Sequence, residues 1–223
     1  AKSATAPKEY KLMSLRGRKY DPERAAAKLP DLLAVIDEFS LLEMSPQLEK
    51  DIRTCKLRIT GGKDALGRLI VNPRLRLHLP AERAATDFAR MLAYLLFRAR
   101  RADPDVQCRG ICVLNDLSGI GTRNIDPRLF KLLTQSVLPR LPIRVCRICL
   151  FRPPWFFGRV LFPVIKTFLS KKLKSRMVVL SSSDATKLHA YFPPESLLPE
   201  YAGTLEFDEQ AWAARVIAER CSR

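Results

Sequence analysis

The sequence has few of the residues on which most catalytic and metal sites depend. It contains two histidines, two tryptophans and nine glycines among 223 residues, and it has no uncharged apolar run long enough to span a membrane. Its longest apolar stretch, residues 153–169, is interrupted by Arg159, Pro163 and Lys166. These features exclude a spanning helix, and an apolar fraction of 47% excludes a mainly disordered chain. The chain begins with Ala1 and lacks a signal-peptide core, which is expected of a processed or excised polypeptide.

Acidic side chains are missing from one long block. Residues 127–183, called the basic block below, contain 12 lysines and arginines and no aspartate or glutamate. Three quarters of the net charge of +16 therefore lies in this block. A positive field so concentrated indicates an anionic partner, either a nucleic acid or an acidic membrane surface. A solvated basic face without a partner is the alternative.

The cysteines do not form a metal or redox motif. Cys146 and Cys149 are the ends of a C-x-x-C, but they fall in an apolar run typical of a buried strand, where positions three apart point to opposite faces. We expect Cys108 and Cys112 in the preceding strand, about 13 Å apart, which is too far for a disulfide. Neither pair has the second half of a zinc site. The sequence therefore predicts buried thiols in a reducing compartment, no structural metal and no cofactor.

Catalytic motifs are equally scarce. Residues 181–184 (Ser-Ser-Ser-Asp) and His189 have the residue types of a catalytic triad, but no nucleophile elbow surrounds them. Asp184 is better explained as the cap of a following helix. No glycine spacing matches a phosphate-binding or dinucleotide-binding loop. We therefore expect that the protein is not an enzyme.

Hydrophobic periodicity predicts an α/β domain with a mainly parallel sheet. Strands are predicted at residues 56–60, 68–77, 110–116, 144–151 and 177–180, and their alternation with helices is the pattern of this fold class. Pro30 is expected to kink or break the first of the helices, which are predicted at about residues 21–36, from 45, 82–101, 126–137, 154–175, 184–191 and 208–220.

Residues 153–176 combine an apolar helix with a basic cluster. The periodicity of residues 153–169 alone favours a core helix packed on the sheet. Residues 170–176, SKKLKSR, follow it directly. An apolar face beside lysines and arginines is what a helix needs to enter the interface of an anionic membrane.

Several segments in order resemble the CRAL-TRIO lipid-binding family. They are LRGRKYDPERA at 15–25, DLSG at 116–119, LPIRVCRI at 141–148, PPWFF at 153–157, IKTFLSKKLKSR at 165–176 and YFPPESLLPEYAG at 191–203. The resemblance implies a helical N-terminal lobe within residues 1–55, a lipid-binding domain over 56–207 and a C-terminal helix over 208–223. It also implies a mixed sheet beneath an apolar pocket that encloses one hydrophobic lipid.

The same resemblance implies a gate helix at about residues 155–169 that opens at membranes. Gly158 and Pro163 are the places where it is expected to bend, since each weakens a regular helix. The residues expected to form the gate or line the pocket are Trp155, Phe157, Val160, Leu161, Val164, Ile165 and Phe168.

The headgroup positions of the family are only partly matched. Phosphatidylinositol-transferring members of the fungal type carry a glutamate where this chain has Ile143, and a lysine where it has Arg176. The chain is closer to the tocopherol- and retinaldehyde-carrier branch, whose basic residues meet a phosphoinositide headgroup, although Cys146 replaces one of them. Ala202 stands where the family usually has glycine. The residues expected to dock on phosphoinositides or the membrane are Arg144, Arg147, Lys171, Lys172, Lys174 and Arg176.

The sequence thus predicts a monomeric cytoplasmic protein that associates peripherally with membranes. It would hold a lipid ligand and exchange or present it at phosphoinositide-containing membranes. A second hypothesis is a lipid-sensing targeting or regulatory module of a larger signalling protein, attached to a phosphatase or an exchange factor. Nucleic-acid binding is a third and is not expected, because the aromatic residues at 155–157 lie in an apolar helix and are not interleaved with basic residues on a sheet face.

Overall fold

The structure is a computed structural model that describes residues 5–181 and 183–219. The backbone is described throughout residues 160–165, but the side chains of Val160, Leu161, Val164 and Ile165 lie outside the described part of the chain. Statements about these four predicted gate residues therefore stop at the course of the main chain.

The N-terminal lobe consists of three helices, α1 (Lys8–Gly17), α2 (Pro22–Glu38) and α3 (Pro46–Arg53). The side chain of Asp21 accepts a hydrogen bond from the amide of Arg24 at 3.0 Å and caps α2. Pro30 is expected to kink or break this helix, and the break does not occur, because α2 continues through this residue. The apolar side of α2 is buried in the main core, and this packing outweighs the loss of one main-chain hydrogen bond.

Five strands form one sheet in the order of the chain. They are β1 (Leu57–Arg58), β2 (Leu69–Pro73), β3 (Ile111–Asp116), β4 (Val145–Phe151) and β5 (Met177–Leu180). The first pair is antiparallel and the other three pairs are parallel. The predicted α/β class with a mixed, mainly parallel sheet is confirmed. The predicted strand over residues 68–77 ends at Pro73 and is followed by a 3-10 turn, Leu75–Leu77.

Helices cover the sheet on the side that forms the main core. Helix α4 (Ala85–Ala102), predicted over residues 82–101, buries an apolar stripe of Phe88, Met91, Leu92, Leu95 and Leu96. The C-terminal helix α9 (Glu209–Ala218) contributes Trp212 to the same core, which also includes the N-terminal lobe. A second, smaller cluster lies around Cys112, Cys149 and Phe151.

Two cysteine predictions need correction. Cys108 lies in a short helix, α5 (Pro104–Arg109), and not in the strand, because Asp103 caps a helix that begins at Pro104. A register shift between Ile111 and Cys112 disturbs the ladder to β4, so that Cys146 packs at the rim of the cluster that contains Cys149. The two cysteines of the C-x-x-C therefore do not lie on opposite faces.

The two helices predicted within the basic block are more irregular than expected. Residues 126–137 form α6 (Pro127–Lys131), which continues as a π-helical segment, Leu132–Val137. The predicted helix over 154–175 divides into a π-helical segment, Phe157–Leu161, then α7 (Phe162–Phe168) and α8 (Lys171–Lys174). Ser170 interrupts it, because its hydroxyl caps α8 by accepting from the amide of Leu173 at 3.2 Å. The predicted helix over 184–191 is a 3-10 helix, Ala185–Ala190.

Candidate functional site

An apolar cavity of about 150 Å³ lies between the sheet and the helices that cover it. Alternate residues of β3 point into it, because successive side chains of a strand face opposite sides. None of the described residues that line it is charged. The lining is Val71, Pro73, Leu75, Phe88, Leu92, Leu96, Ile111, Val113, Asn115, Leu129, Phe130, Leu133, Thr134, Leu138, Val145, Ile148, Leu150, Leu169 and Met177.

Residues 157–169 contain the helical elements of the segment predicted as a gate at about 155–169, and they are called the gate below. Phe157 is 6% exposed and packs in a cluster with Leu117, Ile120 and Leu150. Leu169, which the sequence analysis did not single out, closes part of the lining. Phe168 is half-buried and does not line the cavity.

The structure does not bring Trp155 to the cavity, although it was grouped with the pocket residues. Its side chain is 88% exposed and meets the ring of Phe156 edge-on, with centroids 5.8 Å apart. Two residues further along, the Phe157 ring is buried and lies 5.3 Å from that of Phe162. Trp155 is thus exposed to solvent, whereas Phe157 packs in the interior.

An ion pair fixes the base of the gate. The guanidinium of Arg152, the residue before the Pro-Pro turn, donates from both Nε and Nη2 to the buried carboxylate of Asp116. This interaction raises the pKa of Arg152 above its ordinary value, so the arginine stays charged. The Asp-x-x-Gly segment at 116–119 therefore has a physical role, because its aspartate also accepts from the amide of Ser118 at 3.0 Å and ends β3 in a turn.

Most of the predicted basic residues lie along one edge of the sheet. Arg144 and Arg176 directly precede β4 and β5, and Nη1 of Arg176 donates to the main-chain oxygen of Val145. The Nε atom of Arg144 is buried, and no described residue provides a hydrogen-bond partner for it. Helix α8 adjoins Arg176, because the main-chain amide of Arg176 donates to the Leu173 oxygen at 3.1 Å. The three lysines of α8 are exposed: Lys171, Lys172 and Lys174. We call these five cations the basic edge.

Arg147 is not part of the basic edge. Its guanidinium lies over the ring of Tyr191, 5.1 Å from the centroid, and Tyr191 packs on the second cluster. Arg147 lines a separate depression of about 340 Å³ together with Asp64, Arg68 and His189. The register shift at Cys112, which pairs with Arg147, accounts for this placement and is invisible in the sequence pattern.

Within residues 5–181 and 183–219, no helix combines the length and the apolar character required to cross a membrane. In the same residues, no three histidine, cysteine or acidic side chains come together in a way that could hold a metal ion.

The site is thus an apolar cavity between a mainly parallel sheet and its helical cover, with the lining chemistry of a site for a hydrophobic ligand. The chain belongs to the CRAL/TRIO domain family, whose family model matches residues 53–203. This fold and family support lipid binding.

The chain is also similar to known proteins and to a solved structure. The chain is 25% identical over 201 residues to tyrosine-protein phosphatase non-receptor type 9 from Mus musculus and from Homo sapiens. The match covers 89% of this chain and 33% of each relative, so the chain spans about a third of the length of these relatives. The crystal structure of Sfh5 has a similar fold, with a TM-score of 0.58 and 16% sequence identity, over 92% of this chain and 74% of that one.

Proposed function

We propose that this protein encloses one hydrophobic lipid at the cavity described above, which at about 150 Å³ must widen by an outward movement of the gate, and that it exchanges or presents this lipid at membranes that contain phosphoinositides. The basic edge docks on the anionic surface, the gate opens, the lipid passes, and the protein is released. It acts as a monomeric, peripheral, cytoplasmic lipid carrier and catalyses no reaction. The proposed division of the chain is a helical lobe within residues 1–55, a lipid-binding domain over 56–207 and a C-terminal segment over 208–223 that contains α9.

The observation that carries this proposal is the position of the basic edge beside the gate. Helix α8 follows the gate after the single residue Ser170, and Arg176 joins α8 to the start of β4. Because each lysine or arginine near an anionic bilayer contributes about 1 kcal/mol, five such cations supply several kcal/mol of reversible attraction.

The position that follows Pro142 supports a carrier of the tocopherol and retinaldehyde type. Ile143 is buried and apolar where phosphatidylinositol-transferring members have a carboxylate. An isoleucine cannot accept hydrogen bonds from inositol hydroxyls. Phosphoinositide is therefore proposed as the docking headgroup and not as the lipid inside the cavity.

A vesicle transfer assay tests the proposal. Arg144→Glu with Arg176→Glu should reduce binding to phosphoinositide vesicles and transfer from them at least tenfold, and Lys171→Glu with Lys172→Glu should act in the same direction from exposed positions. The matched control is Arg147→Glu with Lys187→Glu, which reverses two charges on the side of the second cluster and should leave transfer within about twofold. Transfer that survives both reversals at the basic edge would contradict the proposal, as would salt-sensitive binding to DNA with no response to vesicles.

A second candidate is a lipid-sensing targeting module of a larger signalling protein. The relatives favour it, because they are phosphatases of which this chain covers a third. The sequence of the complete gene decides between the two, since a carrier requires no catalytic domain in the same polypeptide.

A further inference from the structure

One polar group in the cavity has no partner. The side chain of Asn115 belongs to the lining and is 8% exposed, and its Oδ1 atom has no hydrogen-bond donor among the described residues. Burial of an acceptor without a hydrogen-bond donor costs free energy, because the acceptor loses its hydrogen bonds to water. Such groups in folded proteins call for an explanation.

The neighbours of Asn115 do not provide that explanation. Across the ladder it faces Leu150, another lining residue. Asp116, which follows it, points elsewhere and is occupied by Arg152 and the amide of Ser118. Thr134, the other side chain of the lining with a polar side-chain atom, donates its hydroxyl to the main-chain oxygen of Phe130 at 2.7 Å.

We propose that Asn115 is the polar contact for the enclosed lipid, and that this lipid carries a hydroxyl group which donates to Oδ1. The proposal rests on the lipid-carrier function proposed above. A hydroxyl fits the amide well, since it can donate to Oδ1 and accept from Nδ2 at the same time. The uncharged lining excludes a phosphate headgroup at this place, because no cation is present to compensate it.

The position of Asn115 also orients the lipid. It lies opposite Leu150, which packs against the gate residue Phe157. Arg144 stands six residues before Leu150, which along a strand is about 20 Å away. The hydroxyl therefore lies under the gate, and the basic edge lies at the other end of the strand, where a second, membrane-resident lipid supplies the phosphate.

A competition between matched lipids tests this inference. Vesicles contain a lipid alcohol and its methyl ether in equal amounts, in three separate pairs: a sterol, a long-chain isoprenoid alcohol and a 1,2-diacylglycerol. The protein is incubated with the vesicles and re-isolated, and mass spectrometry gives the ratio of captured alcohol to captured ether. The ether keeps the shape of the lipid and loses the donor, and a site built around a hydroxyl discriminates strongly against such analogues.

We expect the wild-type protein to capture at least one alcohol with a preference of tenfold or more. Asn115→Leu should reduce that preference to within twofold, whereas the control Thr134→Val, in the same lining, should retain it. Because the variant removes an unpaired buried acceptor, Asn115→Leu without lipid should melt at the same temperature as the wild type or higher.

Each other result overturns the inference. Equal capture of alcohol and ether by the wild type would show that the protein does not recognise the hydroxyl group, and it would leave the proposed carrier function intact. A preference that persists in Asn115→Leu, or a clear loss of stability in that variant, would show that the amide serves another partner. Capture of neither lipid in any pair would contradict the carrier function together with this inference.

Discussion

The guanidinium of Arg176 donates a hydrogen bond to the main-chain oxygen of Val145, the residue that follows Arg144. This bond joins the segment before β5 to the first residue of β4 at the edge where α8 ends. It gives Arg176 two roles, since the side chain supports the sheet and also carries one of the charges of the basic edge. The two roles can be separated by substitutions that keep or remove the charge.

Arg176→Lys should keep vesicle binding within about twofold and lower the free energy of unfolding by about 1 kcal/mol. Lysine retains the charge, but its ammonium lacks the planar fork of donors that lets arginine reach the carbonyl oxygen. Arg176→Gln should lose vesicle affinity as well. Urea unfolding and vesicle sedimentation measure the two quantities, and equal loss of affinity in both variants would show that geometry, not charge, governs docking.

Trp155 should enter the membrane interface when the protein docks. It is 88% exposed beside the gate, and tryptophan favours the headgroup region of bilayers. Its fluorescence should shift to shorter wavelengths on addition of phosphoinositide vesicles, and Trp155→Phe should abolish the shift without changing the melting temperature. The other tryptophan, Trp212, is buried in the main core and should contribute no shift. An unchanged spectrum would place docking elsewhere.

Truncation of Phe157 should loosen the gate more than it destabilises the fold. Its ring packs in a cluster with Leu117, Ile120 and Leu150, so Phe157→Ala removes the buried gate side chain of that cluster. A fully buried phenylalanine costs about 3–5 kcal/mol when truncated, but a segment that opens locally spares the rest of the core. Hydrogen exchange should therefore accelerate in residues 157–168 and stay unchanged in α4, and uniform acceleration would contradict a separate gate.

Ala202 has a left-handed backbone conformation, with φ of +55°. The sequence comparison had marked it as an alanine at a position where glycine is usual, and the structure supplies the reason, since only glycine adopts this region without steric cost. Ala202→Gly should raise the free energy of unfolding by about 0.5–1 kcal/mol. The neighbouring substitution Gly203→Ala should have the opposite effect, because its Cβ would lie 2.0 Å from the Leu197 oxygen. Chemical denaturation measures both changes.

Regular features of the chain were predictable because each follows from a local rule. The apolar stripe of α4, the cap at Asp21 and the short apolar strands are examples. The placement of Arg147 and of Cys146 was not, since a register shift between two distant strands decides it. The π-helical segments were equally hidden, because their apolar periodicity resembles that of an α-helix.

The cavity, too, could be predicted from the sequence only in part. Because side chains alternate along a strand, the sequence of β3 indicates which of its residues share a face. It does not indicate which face lies beneath the gate. Asn115 could have been noticed as a polar residue inside an otherwise apolar run. Its lack of a partner, however, depends on Thr134 and Leu150, which only the folded chain brings near it.

Two buried thiols should make the protein less stable in alkali. Burial raises the pKa of Cys112 and of Cys149 to about 12, and for Cys112 the Asp64 carboxylate, 3.2 Å away, adds to the effect. Below about pH 7.5 both thiols are protonated in the folded and unfolded chains, so their contribution is constant there. Between pH 9 and 12 the unfolded chain releases protons that the folded chain keeps, and unfolding is favoured by up to about 1.4 kcal/mol per pH unit for each thiol. Urea unfolding at pH 8 and pH 10 measures how much free energy of unfolding is lost between the two. This loss should be about 1 kcal/mol smaller in Cys149→Ala than in the wild type. Identical losses would mean that Cys149 ionises normally in the folded protein.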